Sequence, residues 1–179
     1  MSETNEKRFP RMTEKDRERF SDPVGAAKWL LGKTICRKLL DGEIVRLYIT
    51  ETEAYYYEDE ACYGHDGKKT DATAPLFEQA GTCCIYGEML LISCGIKGES
   101  DNVLIRAAGN ENTYCRGPII VCDELRLEKK HSGIDILTSD KLWLEGTADE
   151  RQCCQTTRVG LPESAGKQSR EAKHRFIIL

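Results

Sequence analysis

The chain has 179 residues, of which 40% are hydrophobic and 31% charged; this composition supports a domain with a hydrophobic core and excludes a disordered polypeptide. Its formal net charge is −4, which argues against a general nucleic-acid binder, because lysine and arginine supply most of the non-specific affinity for phosphates. No apolar run approaches the roughly 20 residues that cross a bilayer, so we expect no membrane association.

Residues 1–19 form a polar and charged first segment. They lack the apolar stretch of a secretory signal, so we predict a partly disordered lead-in, a cytosolic protein and one domain over residues 20–179. Asp22 and Pro23 then predict the start of a helix, because a capping side chain is followed by proline in the first turn. Gly32 predicts the end of this helix.

Two extended runs follow the helix. They cover residues 33–40 and 43–50, and Asp41-Gly42 between them predicts a type I′ hairpin. The second run delivers the segment around Glu53 to its end. A carboxylate beside an aromatic side chain at the end of a strand is a candidate base for activating water, next to a surface that stacks on a planar substrate.

The remaining chain consists of a long loop and short elements. The loop covers residues 55–80, is polar, and contains one short helix around Leu76-Phe77; a loop of this length inside a domain indicates a functional role. Strands occur early and late with helices interspersed, which predicts an α+β fold. After the loop we expect a strand over 83–94 with a partner over 102–108, a helix over 121–130, and strands over 142–145, 158–161 and 175–178.

The nine cysteines show no spacing typical of a metal site. Their number is odd, so complete internal pairing is impossible, and the C-x-x-C spacing of zinc ribbons is absent. We interpret them as small buried hydrophobes in a reducing compartment, and we predict no metal site.

Glu53 and Arg106 are the residues with the clearest chemical potential. One carboxylate can polarise a water and stabilise positive charge that develops at the attacked carbon. Arg106 lies inside an apolar strand, where an arginine requires an acidic partner, and near Glu53 it would hold the water and keep the carboxylate ionised. Taken singly, Glu53 is more simply a surface carboxylate at a strand end, and Arg106 could pair with any acid.

Several short motifs occur in one order along nearly the whole chain, from about residue 12 to residue 179. They are Leu30-Leu31-Gly32-Lys33, Glu51-Thr52-Glu53-Ala54-Tyr55, Leu142-Trp143-Leu144-Glu145, Thr157-Arg158-Val159-Gly160 and Arg175-Phe176-Ile177. Each motif alone is weak, but their shared order is hard to obtain by chance. In this order and spacing they resemble the alkyladenine (3-methyladenine) DNA glycosylase family.

The resemblance implies a monofunctional DNA N-glycosylase of base excision repair. Its expected fold is a single α+β domain with a curved antiparallel sheet, a protruding β-hairpin and flanking helices. Such an enzyme flips an alkylated or deaminated purine out of duplex DNA and hydrolyses its N-glycosidic bond without a metal or other cofactor. By position, Glu53 would be the general base, Arg106 would hold the attacking water, and Tyr55 would form one wall of the pocket that stacks on the base.

The resemblance also implies a partner and a location. The partner would be double-stranded DNA that contains a damaged purine, and the protein would act as a monomer. It would lie in the cytoplasm of a bacterium or in the nucleus of a eukaryote.

Two alignments with the family are possible around Tyr86, because the segment after Gly81 is a few residues shorter than in the family. Anchored on Tyr86 and Arg106, whose spacing is then unbroken, Tyr86 is the residue that intercalates into DNA and Cys83 replaces the second pocket tyrosine. Anchored on Gly81, Tyr86 is itself the pocket tyrosine and Met89 lies nearest the intercalating position. We prefer the first alignment.

Other positions depart from the family pattern. Tyr63 replaces a pocket histidine but keeps a flat ring, and His65 nearby could substitute for that histidine. Under the first alignment, Ser93 replaces an asparagine that crowds guanine, so discrimination against guanine-derived bases should relax. Ile119-Ile120 replace a Gly-Lys pair that contacts phosphate. The residues expected to bind substrate are Tyr55, Tyr63, Tyr86 and Ser93, and those expected to bind DNA are Tyr86, Lys68, Lys69 and Arg116.

Two other functions stay open at this point. A non-catalytic relative that binds lesions or proteins would fit the lost histidine, the shortened hairpin and the lost lysine. A hydrolase of free nucleosides would keep Glu53 and the stacking wall and would suit the sequence pI of about 5.5, but it leaves an intercalating Tyr86 without a purpose. We expect the active glycosylase.

Overall fold

Nine antiparallel strands form one open sheet in the computed structural model, which describes residues 9–179. The strands are β1 Thr34–Lys38, β2 Ile44–Tyr55, β3 Cys83–Tyr86, β4 Met89–Ser93, β5 Asn102–Gly109, β6 Tyr114–Cys115, β7 Leu142–Glu145, β8 Cys153–Thr156 and β9 Arg175–Ile178. Their order is β3-β4-β5-β2-β1-β7, with β6 paired to β5 and β9 paired to both β2 and β8. The long strand β2 is therefore the centre of the sheet.

Short helices pack around this sheet. The α-helices are α1 Pro23–Leu30, α2 Pro118–Glu124 and α3 Gly166–Glu171, and the 3-10 helices are Glu14–Phe20, His65–Gly67, Ala74–Phe77, Lys129–His131 and Glu163–Ala165. Over residues 9–179, no helix combines the length and the apolar character that a membrane span requires. The architecture confirms the predicted α+β class and the single domain.

Helix α1 forms where its local signals predict it. The Asp22 side chain accepts a hydrogen bond from the Gly25 backbone N–H at 2.8 Å, and Pro23 occupies the first turn. The helix ends just before Gly32, whose φ of 79° suits a residue without a side chain. Trp29 is buried against the sheet, so the helix is held by packing as well as by its cap.

The lead-in contacts the domain from Pro10 onward, whose carbonyl accepts a hydrogen bond from the Gly146 backbone N–H, and residues 1–8 lie outside the described residues. Met12 is buried in the main core, and Arg11 forms an isolated β-bridge with Glu145. Part of the segment that was predicted as a partly disordered lead-in therefore belongs to the folded domain.

The predicted type I′ turn occurs at a different hairpin. In the β1–β2 turn only Gly42 has a positive φ, at 90°, and Asp41 does not, so that turn is not type I′. Between β3 and β4, Gly87 and Glu88 have φ values of 53° and 62°, both positive as a type I′ turn requires. The single strand predicted over 83–94 is therefore wrong, and the segment is a hairpin.

Two further predicted elements differ from the structure. Residues 158–161 are not a strand, because Arg158 turns inward to pair with Asp59, and this tertiary contact outweighs the local preference for a strand. The helix predicted over 121–130 is shorter and begins earlier, as α2. Arg126 after it has a φ of 48°, which a right-handed α-helix does not allow.

A matched irregularity in β2 and β5 directs side chains toward one face of the sheet. Ile49 and Ala54 both pack in the main core, although their odd spacing would place them on opposite faces of a regular strand. Strand β5 makes the same change between Ile105 and Ala108, and the register shifts between the two strands lie at these positions. Because both strands shift together, pairing resumes, and Glu53 lies on the face opposite Ala54.

A second, smaller hydrophobic cluster forms on the side of the sheet that the long loop covers. Phe77 and Leu76 from the loop are buried there against side chains from β4 and β5, which ties the loop to the sheet. Burial of each such large side chain stabilises the fold by about 2 kcal/mol. The cluster consists of Tyr55, Cys62, Leu76, Phe77, Cys84, Leu91 and Leu104.

Gly64 provides a test of how tightly this loop is packed. A β-carbon at Gly64 would overlap the Ser100 side chain, so Gly64→Ala should lower the free energy of unfolding in urea by about 2 kcal/mol. Gly25→Ala is the matched control, because its β-carbon would meet only ordinary contacts with Asp22, and alanine favours the helix. Equal stabilities for the two variants would show that the loop does not pack as described.

Candidate active site

Glu53 is a buried carboxylate whose oxygens are held by protein donors. Its exposed fraction is 1%, so water does not solvate the charge freely. The Tyr55 hydroxyl donates to Oε2 at 2.6 Å, and the Val159 backbone N–H donates to Oε1 at 3.0 Å. A buried charge is tolerated only when it is paired and hydrogen-bonded. These two donors therefore stabilise the charged Glu53 side chain in its buried position.

Arg106 supplies the positive charge beside this carboxylate. Its Nε lies 3.6 Å from Glu53 Oε1 and 3.7 Å from Glu51 Oε2, which are ion-pair distances but not direct hydrogen bonds. Among residues 9–179 this Nε has no hydrogen-bond partner. Arg106 therefore presents a buried donor to two carboxylates without a direct hydrogen bond to either of them.

Glu51 is held from its other side by Arg175 on β9. Arg175 donates to Glu51 Oε2 from Nη2 at 2.8 Å and from Nε at 3.1 Å. This pair fixes Glu51, so Arg106 faces two anchored carboxylates rather than one. The sequence placed Arg175 only in a closing motif and did not indicate this role.

Tyr55 serves Glu53 as a donor. Burial raises the pKa of Tyr55 well above its ordinary value of 10, and the neighbouring Glu53 carboxylate raises it further, so the phenol keeps its proton for the hydrogen bond. The guanidinium of Arg158 lies 4.5 Å from the centre of the Tyr55 ring, which is a cation–π distance. Tyr55 is 7% exposed, so little of its ring is open to solvent.

Arg158 is a structural residue that sequence reasoning missed. Its side chain is fully buried, its Nη1 lies 2.6 Å from Asp59 Oδ2, and it also donates to the backbone carbonyls of Ala54 and Ser169. These contacts fix the chain just before Val159, whose N–H binds Glu53. The motif Thr157–Gly160 pointed to the segment, but a strand was predicted there and its partner Asp59 lies far away in sequence.

Tyr63 and Tyr86 form an aromatic pair at the surface beside Glu53 and Tyr55. Their ring centroids are 4.2 Å apart with an interplanar angle of 37°, and Tyr63 is 41% exposed. Burial of the other part of the ring raises the pKa of Tyr63, with smaller contributions from Tyr86 and Glu53. The loop and β3 thus bring together two of the predicted substrate-binding residues.

The position of Cys83 bears on the two alignments around Tyr86. Cys83 is fully buried in the main core, where its thiol faces the His131 carbonyl, whereas Tyr86 packs on the second cluster. Because side chains alternate along β3, Cys83 and Tyr86 lie on opposite faces of the sheet. Cys83 therefore does not share a face with Tyr55, which is a reason to prefer the alignment in which Tyr86 is the pocket tyrosine and Met89 lies nearest the intercalating position.

Ser93 contacts neither Glu51 nor Glu53 through its hydrogen bonds. Its hydroxyl donates to the Gln79 carbonyl at 2.7 Å and accepts from the Thr82 backbone N–H at 3.1 Å. The side chain is fully buried, so the hydroxyl serves the backbone and is not presented to a ligand in this conformation.

The predicted DNA-contacting cations lie at the surface in two places. Lys68 and Lys69 are exposed in the long loop. Arg116 lines a groove of about 310 Å³ together with Arg106, Arg175, Glu51 and Tyr114. Three arginines against one carboxylate make this groove locally positive in a chain that is acidic overall.

No group of metal-ligating side chains large enough to hold an ion occurs within the described part of the chain. All nine cysteines are free, and burial raises the pKa of most of their thiols; that of Cys83, for example, rises to about 11. The thiols whose pKa is raised therefore stay protonated, and the candidate chemistry of the site lies in its carboxylates and arginines.

Comparison with known proteins connects this chain with one family. The family model described as methylpurine-DNA glycosylase (MPG) matches residues 18–179. A Clostridium botulinum protein whose name refers to 3-methyladenine DNA glycosylase is 31% identical over 169 residues, covering 78% of this chain and 83% of its own length. The mouse DNA-3-methyladenine glycosylase is 29% identical over 157 residues, covering 72% of this chain and 47% of its own length, so the chain matches about half of the mouse protein.

The buried pair of Asp59 and Arg158 provides a test of the site's support. Asp59→Asn should lower the free energy of unfolding by about 3 kcal/mol at neutral pH, because it leaves Arg158 buried without its counter-ion. Glu58→Gln, at the exposed neighbouring carboxylate, should change stability by less than about 0.5 kcal/mol.

The stability loss in Asp59→Asn should depend on pH, and the direction of this dependence follows from the pKa of Asp59. Burial raises the pKa of Asp59, but hydrogen bonds from Arg158 and Ser169 outweigh it and hold that pKa below its ordinary value of 3.8. The carboxylate therefore stabilises the fold above pH 3.8, and this contribution is lost as the pH falls through the lower folded-state pKa. In urea titrations the gap between wild type and Asp59→Asn should shrink below pH 3.8, and a constant gap would contradict the buried pair.

Proposed function

The chain belongs to the methylpurine-DNA glycosylase family and is a DNA glycosylase, and we propose that it excises alkylated or deaminated purines from double-stranded DNA with a water activated by Glu53. The enzyme would act as a monofunctional glycosylase and as a monomer in base excision repair. The proposal depends on one observation: Glu53 is buried and fully held, and the unpartnered Nε of Arg106 faces it at 3.6 Å.

The roles of the two residues follow from this geometry. A water at the free donor of Arg106 would be within reach of the Glu53 carboxylate, which would take its proton as the water attacks the anomeric carbon. The negative charge of Glu53 would also stabilise the positive charge that develops on the sugar when the glycosidic bond breaks. Tyr55 and Val159 hold the carboxylate in position, which is the preorganisation that this chemistry needs.

The pair of Tyr63 and Tyr86 would form one wall for the flipped base. Electron-poor, cationic purines gain from stacking on such rings and from cation–π attraction. Stacking tolerates differences in the hydrogen-bonding edge of the base, which suits a site that accepts several lesions. With Tyr86 in this wall, it would bind the base and would not be available to intercalate.

The groove lined by Arg106, Arg116 and Arg175 would receive the DNA backbone beside the flipped nucleotide. Phosphates bind where positive charge is concentrated, whatever the net charge of the protein. The acidic overall charge would then limit non-specific binding, and affinity should fall steeply as salt is raised.

Glu53→Gln is the first test of this function. We expect release of free 3-methyladenine or hypoxanthine from lesion-bearing duplex to fall by at least about 100-fold, because the amide cannot accept the proton of the water. Glu43→Gln, an exposed carboxylate just before the same strand, is the matched control and should keep wild-type activity. Circular dichroism and a melting curve would establish that both variants fold.

The outcomes separate the alternatives. Tight lesion binding by the wild-type protein without any release, unchanged in Glu53→Gln, would point to a non-catalytic relative. Hydrolysis of free nucleosides at rates comparable to duplex would point to a nucleoside hydrolase. No release from any alkylated or deaminated duplex at low salt would refute the proposed activity.

Tyr86→Leu tests whether this residue is a pocket wall or an intercalating residue. As a wall it contributes stacking to the flipped base, so its loss should reduce excision by about tenfold in both duplex and single-stranded substrates. Met89→Leu in the same hairpin is the matched control and should change little. A loss confined to duplex substrate would instead assign Tyr86 to intercalation.

A further inference from the structure

A cavity of about 500 Å³ opens at the end of β1 that is remote from Glu53. The register pairs Arg37 of β1 with Val45 near the start of β2, and roughly 25 Å of strand separates Val45 from Glu53 at about 3.3 Å per residue. The cavity is therefore distinct from the candidate active site. Its polar lining consists of Arg37, Lys38, Lys130, His131, Asp140 and Lys141.

Arg37 is a buried cation without a counter-ion. Its exposed fraction is 6%, and no carboxylate within the described chain lies at ion-pair distance from it. Nη1 donates to the backbone carbonyls of Lys38 and Lys141, but Nε is buried and finds no acceptor in residues 9–179. A buried guanidinium with a free donor is costly unless an anion reaches it.

His131 adds a second place where N–H donors outnumber acceptors. The Glu128 backbone N–H donates to Nδ1 of His131 at 2.9 Å, and Nη2 of Arg37 lies 2.9 Å from Nε2 of the same ring. A neutral imidazole carries a proton on one nitrogen, so only one nitrogen can accept, and one of these contacts places two N–H donors face to face. A second ring proton would make both nitrogens donors, so protonation of His131 cannot remove the conflict. Burial lowers the pKa of His131, and Arg37 and Lys130 lower it further.

The charges around the mouth complete the pattern. Lys38, Lys130 and Lys141 are exposed side chains that line the cavity, and Lys130 is paired with Glu128 at 3.0 Å. Asp140 is the acidic residue of the lining, and it does not pair with Arg37. The site therefore has more cations and N–H donors than acceptors.

We propose that this cavity binds a phosphate-class oxyanion, with Arg37 as its buried anchor and the lysines at its mouth. An oxyanion would accept a hydrogen bond from the free Nε of Arg37. It would also offer a further acceptor to the N–H donors of Arg37 and His131, which outnumber their acceptors. The phosphate can come from free phosphate, from the terminal phosphate of a nucleotide or from a DNA backbone. This inference does not depend on the proposed excision chemistry at Glu53.

Titration of the full chain with inorganic phosphate tests the site directly. At constant ionic strength, calorimetry should show saturable binding with one site, and phosphate should raise the melting temperature where chloride does not. Arg37→Gln should weaken phosphate binding by about tenfold or more, because it removes a charged donor from a buried site. NMR resonances of the His131 ring should shift on addition of phosphate.

A surface variant guards against misfolding, because Arg37 also supports two backbone carbonyls. Lys141→Gln changes only an exposed charge at the mouth and should weaken phosphate binding by about threefold. Lys97→Gln, which removes an exposed charge outside the cavity, is the matched control and should bind phosphate like the wild type. Absence of saturable binding, or equal binding by wild type, Arg37→Gln and Lys141→Gln, would overturn the proposal.

Competition distinguishes the sources of the phosphate. A short oligonucleotide with a 5′-phosphate should displace inorganic phosphate if the site takes terminal phosphates, and its unphosphorylated form should not. If both oligonucleotides displace phosphate in the wild type but lose this ability in Arg37→Gln, the site takes the DNA backbone. If neither oligonucleotide competes while inorganic phosphate still binds through Arg37, the occupant is a small free anion.

Discussion

The buried negative charge of Glu53 is the constraint on which the site depends. A carboxylate that is 1% exposed cannot rely on water, so every donor near it has a structural role as well as a chemical one. Tyr55 supplies a hydroxyl and Val159 a backbone N–H. Val159 is in turn fixed by Arg158, whose buried pairing with Asp59 spans the chain from the long loop to the C-terminal segment. The support of one carboxylate therefore joins two segments that lie far apart in the sequence.

The sheet supplies the second condition, which is the direction of these side chains. A regular β2 would send Glu53 to the same face as Ile49, into the main core, where a charge would have no partner. The matched shift in β2 and β5 moves Glu53 to the other face and leaves the pairing of the two strands intact. Arg106 lies within the shifted part of β5, so the same irregularity that exposes the carboxylate to its donors also brings the arginine beside it. Fold and site thus share one local feature.

The sequence predicted the parts of this arrangement that depend on local signals. Helix α1 was predictable because Asp22, Pro23 and Gly32 act within a few residues of the helix they bound. The family resemblance pointed to Glu53 and Arg106, and the Arg106 Nε lies 3.6 Å from Glu53 Oε1 in the structure. The partnership of Arg158 and Asp59 was not predictable, because it joins distant segments and no local pattern marks it. The face of the sheet on which Tyr86 lies was also not predictable. Motif spacing gives the order of residues, but it does not show at which residue β3 ends and the hairpin turn begins.

The short β3–β4 hairpin has a consequence for how a damaged base would leave the helix under the proposed function. Its turn consists of Gly87 and Glu88, and a carboxylate at the tip is repelled by phosphates and gains nothing by entering a base stack. Without an aromatic residue to fill the gap, the cost of extrusion must be met by the pocket and by the weak stacking and pairing of the damaged base itself. Such an enzyme would depend more on the instability of the lesion than on intercalation. Its selectivity would then favour purines whose pairing is already lost. This agrees with the proposed pocket wall of Tyr63 and Tyr86, whose rings would stack on a base without reading its edge.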